Sequence, residues 1–122
     1  MLHSTLIAIA VLAFAMLLAA ADAAGPFDGK WVGTAPEAGD CGVLTVTLVV
    51  ANNQITGTVA GKHGSPTIRT GAIATDGTAN VTYAIGNSSS AFSGTIKFVG
   101  NAFSGRFQTV CGFRDTTGAR VQ

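Results

Sequence analysis

The residues able to do chemistry in this 122-residue chain are few, and their spacing limits what they can do. His63 is one of only two histidines, the other being His3 near the N-terminus. A hydrolytic triad needs an imidazole set between a nucleophile and a carboxylate. His63 instead lies in the turn-rich stretch Lys62-His63-Gly64-Ser65-Pro66, and the chain has no G-x-S-x-G elbow. A zinc centre needs three or four nitrogen and sulfur ligands, and two cysteines that are oxidised together leave His63 alone. Glu37 and Asp40 share one loop, where they either solvate it or form a rim site with a weak cation contact; glycoside hydrolysis requires two carboxylates facing each other across a cleft. Asp76 is accounted for by a turn with Gly77, and Asn80 and Asn87 open glycosylation-type N-x-[ST] triplets that a bacterial-type chain has no general use for. These observations predict no catalytic residue, no metal and no cofactor. The polar loop residues Glu37, Asp40, Lys62, His63 and Asn87 remain as candidate binding positions.

Cys41 and Cys111 are the only cysteines and lie 70 positions apart, which rules out a C-x-x-C redox motif. Their meaning depends on the compartment. Leu6 to Ala21 is an unbroken apolar run of 16 residues, followed by Ala21-Asp22-Ala23. A run of that length falls short of the roughly 20 residues that span a bilayer and suits a signal-peptide core with an A-x-A cleavage site. Residues 1–23 are therefore expected to be a signal-peptide helix, with an uncleaved membrane anchor as the alternative, and residues 24–122 one secreted or periplasmic domain. In an oxidising compartment an isolated cysteine pair is expected to form a disulfide.

Past the leader the composition changes. All 16 glycines lie there, among many Thr, Val, Ser and Asn residues. Seven Lys and Arg stand against five Asp and Glu, a net charge of +2 without a basic cluster. Nucleic acid is not an expected partner, nor is a membrane once the leader is removed. Leu44, Val46, Leu48 and Val50 alternate with Val43, Thr45, Thr47 and Val49, a strand with one face on a core. Similar runs recur every ten residues or so: Gly29–Ala35, Cys41–Ala51, Gln54–Lys62, Thr67–Ala74, Ala79–Ile85, Ala91–Val99 and Ala102–Val110. Asn52-Asn53, Asp76-Gly77 and Gly100-Asn101 mark turns between them. A weakly signalled eighth strand is placed at Gly118–Gln122.

The expected fold is all-β, a small antiparallel up-and-down barrel of seven to eight strands, with a β-sandwich as the alternative. In such a meander Cys41 and Cys111 fall at one rim, and closure needs the eighth strand between the first and the seventh. The triplets Ile55-Thr56-Gly57, Phe92-Ser93-Gly94 and Phe103-Ser104-Gly105 each place a large apolar residue two positions before a glycine. They read as bends in strongly curved strands, with the neighbouring side chain covering the gap. Trp31, Phe92, Phe98, Phe103 and Phe107 are the expected structural core, with Tyr83 on the same inward face. Trp31 is expected to plug one end, stacked under Arg114 or Arg120.

The stretch Phe27-Asp28-Gly29-Lys30-Trp31-Val32-Gly33-Thr34 resembles the opening of a group of small exported bacterial domains that begin F-D-G-x-W-x-G-T. That resemblance implies architecture and carries no activity. Gly29-Lys30-Trp31 followed by Leu44-Thr45-Val46 and Ile55-Thr56-Gly57-Thr58 is similar to the opening of the calycin barrels, the avidins in particular. Trp31 is the only tryptophan, whereas avidins line their pocket with several, so biotin binding is not implied. A fainter likeness is to the bacterial metalloprotease-inhibitor barrels, whose cysteines lie closer together. The expected function is a non-catalytic binding module for a small ligand or a protein partner. The alternatives are a structural, envelope-associated protein or an inhibitor-like barrel. With the interior filled, binding falls to the loops.

Overall fold

The structure is a computed structural model and describes residues 25–84 and 91–122. The expected signal segment, Ile85 and the candidate Asn87 lie outside the described residues.

Eight strands follow in order: β1 (Gly29–Ala35), β2 (Leu44–Ala51), β3 (Gln54–Ala60), β4 (Ile68–Ile73), β5 (Thr78–Tyr83), β6 (Phe92–Val99), β7 (Ala102–Thr109) and β8 (Gly112–Arg120). Each pairs antiparallel with the next, and β8 pairs with β1, closing the barrel. The sandwich alternative is thereby removed. The seam is thinnest between β3 and β4, where the ladder reduces to Gln54 opposite Ala72 and an isolated bridge from Thr58 to Thr67.

Sequence periodicity explains the strands. Along β2, Leu44, Val46, Leu48 and Val50 are buried while the residues between them are partly or fully exposed. Asn52 and Asn53 both take positive φ, 53° and 63°, as a two-residue hairpin loop requires. β2 starts at Leu44 rather than Cys41, because Gly39–Cys41 forms a 3-10 turn. β8 starts at Gly112, six residues earlier than expected. Its inward positions are Arg114, Thr116, Gly118 and Arg120, so it shows none of the apolar alternation that marks its neighbours.

The interior is filled by two aromatic tiers. Trp31, Phe98 and Phe103 form one, with ring centroids 4.9 Å apart for Trp31 and Phe98 and 6.0 Å apart for Phe98 and Phe103. Tyr83 and Phe107 form the other, 6.4 Å apart. Val46, Leu48, Val81 and Thr116 are fully buried with them. Phe92 departs from expectation: it packs on the core at the rim and is only partly buried.

The glycine-aromatic repeat also works differently from its linear pattern. Gly94 and Gly105 are both covered by the Phe107 ring, which would stand 2.7 and 2.6 Å from a Cβ at either position. Phe103 covers Gly33 and Gly118, which face each other across the β1–β8 closure. The covering ring comes from a later position or a neighbouring strand, not from two residues before the glycine. The bare strand backbone lets each ring lie flat against the wall.

Candidate functional site

The two ends of the barrel are built differently. At one end the connections are Asn52-Asn53, Ala74–Gly77 and Gly100-Asn101, and the N-terminal segment folds across them. Backbone bonds stitch these hairpins together: Ile73 N–H donates to Asn53 O (2.9 Å), Phe98 N–H to Gly77 O (2.8 Å) and Arg120 N–H to Asn101 O (2.9 Å). The Arg120 guanidinium lies over the Trp31 ring, 4.6 Å from its centroid, and donates to the carbonyls of Asp28 (3.0 Å), Pro26 (3.0 Å) and Gly100 (3.4 Å). Trp31 Nε1–H donates to Phe27 O at 2.9 Å. Of the two arginines expected over Trp31, Arg120 takes that place. This end is sealed.

At the other end lie the longer connections, among them residues 36–43 and 61–67. The disulfide joins Cys41, in the 3-10 turn before β2, to Cys111, in the β7–β8 turn, with Cα atoms 6.4 Å apart. Arg114, 6 % exposed, reaches across from β8 and donates to Pro36 O (2.5 Å) and Gly42 O (2.8 Å). The disulfide and the guanidinium thus anchor the same loop. A disulfide fits an oxidising compartment.

A crevice opens between these elements, with an apolar floor of Leu44, Val59 and Tyr83 and with Pro66 and the exposed Val110 beside it. Lys62, His63, Arg114 and the disulfide stand at its edge. Its free volume is about 30 Å³, room for one or two waters. The Tyr83 hydroxyl donates to Gln108 O at 2.7 Å, and burial pushes its ionisation well above the usual phenol range. Tyr83 stays neutral and closes the floor of the crevice.

The sequence-based candidates divide here. Lys62 and His63 are exposed and meet the disulfide at the crevice, whereas Glu37 and Asp40 are exposed on the first loop and do not line it. Arg114, Tyr83 and Gln108 were missed as site residues. Arg114 had one usable signal: counting in steps of two from Arg120 puts it on the same inward face. Cys41 Sγ, Cys111 Sγ and a His63 ring nitrogen all lie within 4.8 Å of one another, a proximity that spacing along the chain could not reveal. Three apolar side chains, Val43, Val110 and Phe113, are about half exposed or more around this end.

Fold and rim together define the class: a closed eight-stranded up-and-down barrel, sealed at one end and clipped by one disulfide at the other. Compared with known proteins, the chain matches no family model, no curated protein and no solved structure at a significant level.

Proposed function

We propose that the domain is a non-catalytic binding module of a secreted or periplasmic setting, and that its disulfide rim docks a protein partner. The observation that carries this is the filled interior. Trp31, Val46, Leu48, Val81, Tyr83 and Phe107 are wholly inaccessible, so recognition falls to the outside. Pockets for drug-sized molecules run to about 300–1,000 Å³ and are lined mostly by apolar side chains; the rim crevice is about a tenth of that or less, and the depression of about 520 Å³ on the outer wall of β5 to β8 is lined mainly by polar residues, Thr78, Asn80, Lys97, Arg106 and Asp115 among them. A protein surface covering the rim needs no such pocket. It can lay apolar groups on Val43, Val110 and Phe113 and set an acidic group against the exposed Lys62.

The barrel's polarity supports a water-exposed setting. Its interior is apolar, while Thr34, Thr56, Thr95 and Thr117 face outward and are exposed. A membrane barrel shows the reverse, an apolar band outside and a polar lumen. The eight-strand up-and-down order is also that of the calycin barrels whose opening the sequence resembles.

The test is affinity capture from the exported protein fraction of the native host, using three baits. These are the unmodified chain, a rim variant (Lys62→Glu with Val110→Ser) and a sealed-end variant (Asn52→Asp). One captured protein that binds the first and third baits and is lost from the rim variant is the expected result. Equal capture by all three baits, or a small molecule retained by the purified chain in native mass spectrometry, overturns the reading.

A further inference from the structure

We propose that reduction of the Cys41–Cys111 disulfide converts the open rim into a Cys2His site for a thiophilic metal ion, with zinc as the reference metal. The three ligands arrive from separate segments: Cys41 from the 3-10 turn, His63 from the β3–β4 loop and Cys111 from the β7–β8 turn. Their donor atoms lie within 4.8 Å of one another, the grouping of this kind found among the described residues.

The oxidised and reduced chains offer different chemistry. While the sulfurs are bonded to each other, neither can supply a thiolate, and the site is closed. A dithiol reductant delivers two electrons and two protons to the S–S bond and leaves as a disulfide itself, giving two thiols here. Metal binding then displaces both thiol protons to solvent, and the imidazole enters neutral.

The required movements are small. With Zn–S near 2.3 Å and Zn–N near 2.0 Å, a tetrahedral centre sets its sulfurs about 3.8 Å apart and each sulfur about 3.5 Å from the nitrogen. From ordinary disulfide bonding distance the sulfurs must therefore part by about 2 Å, and the His63 nitrogen must close by little more than about 1 Å. His63 and Cys111 are exposed, so their side chains can turn without disturbing the packed interior. Arg114 stays tied to the carbonyls of Pro36 and Gly42 and holds the Cys41 loop in place. Three protein ligands leave the fourth position open to solvent at the rim. The metal would replace the disulfide as the cross-link over the same 70 residues.

Cobalt(II) titration of the purified chain tests this, because tetrahedral thiolate coordination gives intense visible d–d bands and a near-ultraviolet charge-transfer band. Titrations are run on oxidised chain and on chain reduced with a phosphine, which becomes its oxide and leaves no competing thiol. Near-ultraviolet circular dichroism in the same samples reports the packing around Trp31. The reduced chain is expected to keep its near-ultraviolet signal, bind one Co2+ with tetrahedral bands, and release it to Zn2+. The oxidised chain should show none of these bands, and reduced His63→Ala should bind at least about tenfold more weakly, while Lys30→Ala, at an exposed position of the sealed end, binds as the unmodified chain does. The proposal is overturned if the reduced chain loses its near-ultraviolet signal or shows no tetrahedral bands. Wild-type affinity in His63→Ala, or the same bands from the oxidised chain, overturns it equally.

Discussion

Arg114 and Arg120 stand on one face of β8, six residues apart, and each ends the barrel in its own way. Both guanidiniums donate to backbone carbonyls through their terminal nitrogens, Arg120 Nε being buried without a partner, and the only ion pair between charged side chains seen among the described residues is exposed, Arg106 with Asp115 at 3.6 Å. Carbonyls suit the task because they belong to the chain segments that must be pinned. Arg120 gathers Pro26, Asp28 and Gly100 around Trp31, and Arg114 gathers Pro36 and Gly42 beneath the disulfide. Replacing Arg120 with Met keeps an unbranched stem near Trp31 while removing the cation–π contact and three charge-assisted bonds. We expect Arg120→Met to lower unfolding stability by about 2–4 kcal/mol, read from the shift in the urea midpoint at constant slope. A loss below about 0.5 kcal/mol would show that these bonds merely exchange with water.

Turns and strand ends show most clearly what a linear sequence conveys. β2 was legible because its inward residues are all aliphatic and its following turn, Asn52-Asn53, is one that few other residue pairs adopt readily. β8 was nearly invisible for the opposite reason. Its inward positions hold an arginine, a threonine, a glycine and a second arginine; Phe103 of the neighbouring β7 covers Gly118, and Trp31 of β1 meets Arg120 only once the barrel closes. The rim was half legible: the parity of the meander puts both cysteines and the β3–β4 loop that carries His63 at one end, but nothing in the chain sets the imidazole within reach of the two sulfurs. The Asp76 turn was legible as a turn, its bonds from Thr78 were not, and it has a measurable consequence. Thr78 donates to Asp76 Oδ1 from its hydroxyl (2.6 Å) and its amide (3.0 Å), and these bonds hold the carboxyl below its ordinary 3.8. The folded chain thus binds this proton less readily than the unfolded one. The turn's contribution is present above pH 3.8 and is lost as pH falls through the lower folded value. In Asp76→Asn that dependence should vanish: the stability gap between the two proteins should be constant near neutrality and narrow in acid. Urea midpoints across that range measure it, and a gap independent of pH would show that the carboxylate is not the group holding the turn.

At the scale of the whole molecule the decisive property is that the barrel is full. Eight strands enclose a space that side chains can just fill or that can hold one small ligand, and the choice rests on the size and shape of what points inward. Here the aromatic rings are large, and glycines in the facing wall let them lie deep: Phe103 rests on the bare backbone of Gly33 and Gly118 at the seam between β1 and β8. That contact makes closure of the barrel and filling of its core a single event, since the ring needs both strands to form its seat. Truncating it should open a dry cavity lined by Trp31 and Phe98, whose rings lie 6.3 and 6.0 Å from that of Phe103. Phe103→Ala should lose about 3–5 kcal/mol of stability. A cavity of that character takes up small apolar molecules, so saturating benzene should raise the melting temperature of Phe103→Ala while leaving the unmodified chain unaffected. Each outcome reads the interior directly. If benzene stabilises the unmodified chain as well, a cavity is already present and binding returns to the inside of the barrel. If Phe103→Ala loses little stability and gains nothing from benzene, the strands have closed over the gap, and the wall at the β1–β8 seam is softer than its glycine pair implies.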